Sequence, residues 1–209
     1  MKRLILAFLV LTGGTAAAAP PPAPATRAEI VAYHDSGDWD ADLGRVTTRA
    51  RRYLARHLHD HRPAIVLDVD DTSLSSYRCL KKVAFKRSKS DCATPGKMPA
   101  IRQTRWLYRY ARRHGVTVFF ITGRRTPLRA TTIHNLHRAG YGGHLNVRLR
   151  PNHERAGTHD GWKARTRAEI VARGYRIVAN VGDQRSDLDG GSALRTFKLP
   201  NPMYVIPTA

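Results

Sequence analysis

Long apolar runs, acidic side chains and cysteines are all scarce in this 209-residue chain. The one extended hydrophobic stretch, LILAFLVL at residues 4–11, is followed by Gly13-Gly14. It is shorter than the roughly 20 residues a spanning helix requires, so no membrane span is expected. With the basic Met1-Lys2-Arg3 before it and small residues from Ala16 to Ala19 after it, the stretch has the three parts of a secretory signal peptide. Residues 1–19 are therefore expected to be removed, with Ala23-Pro24-Ala25 as an alternative cleavage site, and 20–26 to be a Pro/Ala leader before a domain at 27–209. That region holds no cysteine for lipid attachment. The processed protein is thus expected to be soluble and secreted or periplasmic.

Only Cys79 and Cys92 are present, and in an exported protein such a pair is expected to join. Closing a loop of about 15 residues is worth roughly 3 kcal/mol in loop-closure entropy. The shortage of acid, 16 Asp and Glu against 36 Lys and Arg, sets the formal charge at +20. Loss of Lys2 and Arg3 with the signal would leave +18. Such a surplus attracts phosphorylated substrates, nucleic acid or an anionic envelope, and by itself selects none of them. Internal repeats are absent, and the length and 42% hydrophobic content fit one soluble domain.

The segments alternate. Residues 27–60 have helical spacing, with Val46, Ala50, Tyr53, Leu54 and Leu58 on one face and HDSGDWDAD as a turn and capping stretch. AIVLDVD (64–70) is a continuous apolar strand, IRQTRWLYRYARRHG a helix stopped at Gly115, and VTVFFITG (116–123) a second buried strand. A helix over 126–139, the strand NVRLR, the helix WKARTRAEIVARG, the strand YRIVANVGD and a short strand in TFKLPNP follow. This pattern predicts an α/β domain with a mainly parallel sheet and its ligand site at the strand carboxyl ends.

The chemistry gathers at those ends. In DVDDT, Asp68 and Asp70 are two residues apart and fall on one side if the strand persists, while Asp71 points away. Carboxylates so close repel unless a cation or a shared proton intervenes. A calcium loop is excluded, because its sixth and twelfth positions would be Ser73 and Cys79 where Gly and Glu are required. Thr122 and Gly123 offer a hydroxyl and an amide to phosphate oxygens. Lys163 stands at a helix start, and Asp183 and Asp187 in GDQRSD supply a second carboxylate pair. Each has an ordinary structural reading too: a turn, a solvated lysine, a cap.

Taken in order, DVDDT, ITGR, Lys163 and GDQRSD resemble the haloacid dehalogenase-like (HAD) phosphatases. GYRIVANVGDQRSDL and FKLPNPMYVIP are similar to the acid phosphatase branch that includes secreted bacterial (class B/C-type) enzymes and plant vegetative storage proteins. The resemblance implies a HAD-like Rossmannoid sheet of order 5-4-1-2-3 with helices on both faces. It also implies a small cap inserted at about 75–99. Asp68 would be the nucleophile and Asp70 the general acid and base. Mg²⁺ would be held by Asp68, the Asp70 main-chain carbonyl, Asp183 and Asp187, and the phosphoryl group by Thr122, Gly123 and Lys163. Storage relatives can lack the nucleophile, which this chain retains.

The cap sequence is basic through Lys81, Lys82, Lys86, Arg87 and Lys89. It reads as an anion-attracting lid or as a solvated loop, and Lys81, Lys82 and Arg124 are candidate substrate contacts. His57, His59 and His61 read as helix-end cations, and His153, His159 and Asp160, in the loop before Lys163, either as substrate contacts or as residues of a solvated loop. A phosphoacceptor receiver domain would need an Asp where Thr122 stands. A silent polyanion-binding or phosphate-storage protein would account for the charge and not for the four signatures.

Overall fold

The computed structural model describes residues 25–86, 92, 97–154 and 161–206. The expected signal peptide and nearly all of the leader lie outside them, as do Arg87, Lys89, His159 and Asp160.

Helix α1 (Arg27–Asp35) is started by Thr26 and Glu29, which cap each other reciprocally. It ends at Ser36-Gly37, where Gly37 takes φ +86°, a left-handed conformation that costs glycine little. Helix α2 (Asp38–Ala55) begins at once, so Asp38 and Asp40 lie in its first turn, facing the positive end of the dipole. The helical stretch expected over 27–60 is thus two helices, and the second stops at Ala55.

Strand β1 (Pro63–Leu67) is followed by α3 (Tyr77–Lys82), α4 (Arg102–Arg113), β2 (Thr117–Arg125) and α5 (Arg129–Arg138). Then come β3 (Asn146–Arg150), α6 (Trp162–Ala172), β4 (Arg176–Gly182), the one-turn α7 (Arg185–Leu188) and β5 (Arg195–Lys198). All four ladders are parallel, and the order across the sheet is β3-β2-β1-β4-β5. Counted from the β5 edge this is 5-4-1-2-3.

Alternation along the strands feeds two cores. Ile65, Leu67, Val118, Phe120, Val147, Leu149 and Val178 pack with Leu43 and Leu54 of α2, Leu107 of α4 and Leu136 of α5. Ala64, Val66, Phe119, Ile121 and Ile177 pack with Trp162 and Ile170 of α6. Both faces of the central strands are therefore covered, which is why β1 and β2 read as unbroken apolar runs. Each fully buried Leu, Ile or Phe contributes roughly 1.5–3 kcal/mol. At the β3 edge Val147 and Leu149 are buried and the residues between them only partly so.

Beyond β1 the backbone turns sharply, with Asp71 at φ 56°. Leu74 then pairs antiparallel with Ala100, Ser75 N–H donates to Pro99 O at 2.9 Å, and Ile101 N–H to Ser73 O at 2.9 Å. The intervening chain leaves and returns at this neck. Its helix α3 rests on α1 and the C-terminal segment through Ile30, Leu80, Cys92 and Met203. Cys79 and Cys92 form a disulfide, 13 residues apart.

Candidate active site

Because the ladders are parallel, the carboxyl ends of β1, β2 and β4 open on one edge, and the acidic residues gather there. Asp68 N–H donates to Val181 O at 3.0 Å, extending the ladder by one residue before the chain turns. Asp68, Asp183 and Asp187 are buried, and one oxygen from each lies within 4.8 Å of the others. Lys163, in the first turn of α6, donates to Asp68 Oδ1 at 2.5 Å and to Asp187 Oδ1 at 2.6 Å. Burial alone would lower the lysine pKa, but Asp187 and then Asp68 outweigh it, and the ammonium is held above its ordinary value.

Asp70 goes elsewhere. Arg124 Nε lies 3.1 Å from both its oxygens, and Arg124 Nη2 donates to Oδ1 at 2.7 Å. Arg124 is itself buried, with Thr132 Oγ1 at 3.3 Å and Met98 Sδ at 2.9 Å. Since β1 ends at Leu67, strict alternation no longer holds at Asp70, and the two carboxylates resolve their repulsion on different cations. Thr122 is fully buried and its hydroxyl accepts from Arg124 N–H at 3.1 Å. Beside Gly123 the space is open, with nothing within 4 Å of where a Cβ would stand.

Asp187 is brought in by Gly182. A Cβ at that position would fall 2.3 Å from Asp187 Cβ, so only glycine lets the turn of α7 sit so close to β4. Asp187 Oδ2 accepts from Gln184 N–H at 2.8 Å, and Asn180 Nδ2 donates to Asp187 O at 2.8 Å. Asp183 accepts from Thr72 Oγ1 at 3.0 Å, Gln184 Nε2 at 2.7 Å and Asn201 Nδ2 at 2.7 Å.

The segment after β5 carries residues that single-residue reasoning passed over. Besides Asn201, Tyr204 O–H donates to Asp71 Oδ2 at 2.6 Å, and Ile206 N–H to Gln184 Oε1 at 2.9 Å. Burial, then the Asp183 and Asp71 carboxylates, hold the Tyr204 phenol protonated. Asp71 is fully buried and also accepts from Ser76 N–H at 2.8 Å and Ser76 Oγ at 2.5 Å. Burial, then Asp183, push its carboxyl up to about 6. The one sequence signal for this strap is the stretch FKLPNPMY itself.

The cap residues are placed differently. Lys81 pairs with Asp35 of α1 at 2.9 Å, and Lys82 is exposed. His57 meets Asp60 at 3.0 Å at the end of the α2 region, and His153 lies 3.9 Å from Glu154.

The set suits a hard divalent cation. The donors are all carboxylate oxygens, and three buried carboxylates against one ammonium leave a residual charge of about −2. Among the described residues no helix is long and apolar enough to cross a membrane.

The description "HAD superfamily, subfamily IIIB (Acid phosphatase)" matches residues 15–207. Acid phosphatase 1 of Solanum lycopersicum is 36% identical over 154 residues, covering 70% of this chain and 60% of that protein. Vegetative storage protein 1 of Arabidopsis thaliana is 31% identical over 153 residues, covering 68% of this chain and 55% of that protein. The chain thus spans little more than half the length of these curated relatives. The class C acid phosphatase of Bacillus anthracis, 23% identical, superposes with a TM-score of 0.69 over 84% of this chain and 83% of that one, and so shares the fold. A family match over residues 15–207 places the chain in subfamily IIIB of the HAD superfamily, the acid phosphatase subfamily.

Proposed function

We propose that this protein is an exported, Mg²⁺-dependent acid phosphatase that hydrolyses phosphomonoesters through an aspartyl-phosphate intermediate. The observation that carries the reading is the buried nucleophile position: Asp68 at the end of the central strand, with Lys163 at 2.5 Å and Asp183 and Asp187 beside it. Family membership supports the reaction class. The Cys79–Cys92 disulfide supports export, since cytosolic thiols are kept reduced. A signal peptide over 1–19, a leader over 20–26 and a domain from 27 with a small cap at about 75–99 belong to the same proposal.

In this reading an Asp68 oxygen attacks phosphorus as the bond to the leaving alcohol breaks, and Asp70 gives that oxygen a proton. Asp70 next takes a proton from water, whose oxygen attacks phosphorus, and the bond from phosphorus to the Asp68 oxygen in the acyl phosphate breaks, freeing phosphate and the Asp68 carboxylate. Thr122, the Gly123 amide and Lys163 hold the phosphoryl oxygens, so positioning and charge neutralisation carry most of the catalysis. Mg²⁺, held by Asp68, Asp183, Asp187 and the Asp70 main-chain carbonyl, would neutralise charge on the transferring group. Arg124 now covers both oxygens of Asp70, and a proton can sit there only after the guanidinium has moved off one of them. An incoming phosphate dianion is the partner that draws it away.

The test is turnover of an aryl phosphate with Mg²⁺ by the wild type and by Asp68→Asn, with acid-quench trapping of phosphoenzyme. Activity and trapped phosphate in the wild type, both lost in the variant, are expected. An Asp68→Asn protein as active as the wild type would overturn the mechanism.

A further inference from the structure

At the carboxyl end of the β2–β3 ladder, Arg125 and Arg150 are direct Cα partners. Two adjacent guanidinium groups repel, and proteins ordinarily offset such a pair with a carboxylate. Here none is at hand in sequence: no Asp or Glu occurs between Asp91 and Glu154. Glu154 is itself engaged with Arg165 and His153. Arg125 donates to the Asn152 carbonyl. Arg150 keeps a buried Nε without a hydrogen-bond partner. A buried donor left unmade is costly and marks a place where a ligand can supply the acceptor. Burial, then the neighbouring Arg125, hold the Arg150 guanidinium below its ordinary pKa.

The strand pattern puts this pair on the side of the reaction centre. Val147 and Leu149 face the core shared with α4 and α5, so Arg148 and Arg150 fall on the opposite face. That is the face on which Ala64 and Val66 pack against α6. Asp68 continues their alternation and meets Lys163 of α6. β3 lies two strands from β1, and at about 4.8 Å per strand this separates the rows of Asp68 and Arg150 by about 10 Å.

We propose that Arg125 and Arg150 form a second anion subsite, and that the substrate is a phosphomonoester carrying a second phosphate about 10 Å from the scissile one, as in a sugar bisphosphate. The inference rests on the hydrolase reading above and names its substrate class. A planar guanidinium pair suits phosphate because each fork offers two parallel donors.

Fructose 1,6-bisphosphate and fructose 6-phosphate make a matched pair of probes, with an aryl phosphate as the control. In the wild type, kcat/KM for the bisphosphate is expected to exceed that for the monophosphate by about tenfold, the effect of one well-made charged contact. Arg125→Gln/Arg150→Gln should erase that preference and leave the aryl phosphate rate unchanged. The single exposed-site variant Arg125→Gln, which leaves the half-buried Arg150 in place, should lose part of it. Equal kcat/KM for the two sugars in the wild type, or an equal fall for both in the double variant, overturns the subsite. If nothing is hydrolysed, the enzyme reading fails separately. Calorimetric titration with the same two sugars then decides the subsite: tighter bisphosphate binding that depends on the two arginines supports it, and equal affinities overturn it.

Discussion

Asp70 and Arg124 pose the sharpest question at the scale of single residues, because the carboxyl proposed as the proton donor is met by a fork of N–H donors. If Asp70 protonates the leaving oxygen, its loss matters most where that oxygen is a poor leaving group. Asp70→Asn should therefore slow alkyl phosphates by about 10²–10⁴-fold and aryl phosphates much less. Parallel rates on the two substrate types decide it, and equal losses would remove the acid role. The positions of Asp68 and Asp183 just past strand ends and of Lys163 at a helix start were legible in the sequence, whereas β2 runs on beyond Thr122 to Arg125. The Asp70–Arg124 clasp was not legible, because it joins residues 54 apart in sequence through side chains whose reach depends on how β1 and β2 pair.

At the scale of elements, the strap after β5 and the docking of α1 on α3 are the features whose roles can be measured. Asn201 donates to Asp183 from the same segment that sends Tyr204 to Asp71 and Ile206 N–H to Gln184. Outer-shell donors of this kind are worth about 10–100-fold in metal affinity. Asn201→Ala should weaken divalent-ion binding by that range, read directly from Mn²⁺ binding by electron paramagnetic resonance, with rescue of activity at high Mg²⁺. In the other contact His34 of α1 stacks on Tyr77 of α3 at 3.8 Å and meets Trp39 at a tilt, centroids 4.3 Å apart, with its Nε2 buried and without a hydrogen-bond partner. Burial pulls its pKa down to about 4, against the partial pull upward of Asp40 and Asp35. The unfolded chain, with its histidine near 6.5, therefore binds the proton first. This contribution to stability is complete above about pH 6.5 and is lost as pH falls through about 4. Melting temperatures between pH 7 and pH 4 should fall less steeply for His34→Phe, which keeps the stack and removes the titration. Identical slopes would show that His34 does not couple α1 to the cap helix in acid.

On the scale of the whole molecule, a formal charge of +20 is set against an acidic, buried centre. A long-range field of that sign raises the encounter rate with dianions and is screened over about 10 Å at 0.1 M salt. Raising salt from 10 to 200 mM should lower kcat/KM for a phosphomonoester several-fold and leave kcat nearly unchanged, as steady-state kinetics at fixed Mg²⁺ will show. A kcat that falls in parallel would place the effect of salt on the chemistry or on the fold instead of on capture.

The sequence by itself determined the α/β class, the order of strands and helices and the strand and helix ends at which the candidate residues gather. Those features are local: apolar runs of strand length, helical spacing and punctuation at Gly115 and Gly140 are all written within about 15 residues. It also announced the Cys79–Cys92 pair, because two cysteines allow one bond within the chain. Only the tertiary structure decided which cation each carboxylate meets, that Lys163 bridges Asp68 and Asp187, and that Asp71 is locked by Ser76 and Tyr204 instead of pointing free. It also decided that Lys81 is tied to Asp35. The physical reason is the same in each case. A buried charge takes the partner that packing brings within about 3 Å, and that partner comes from a different strand end, from helix α6 two strands further on, or from the C-terminal strap, at distances along the chain that no local pattern encodes.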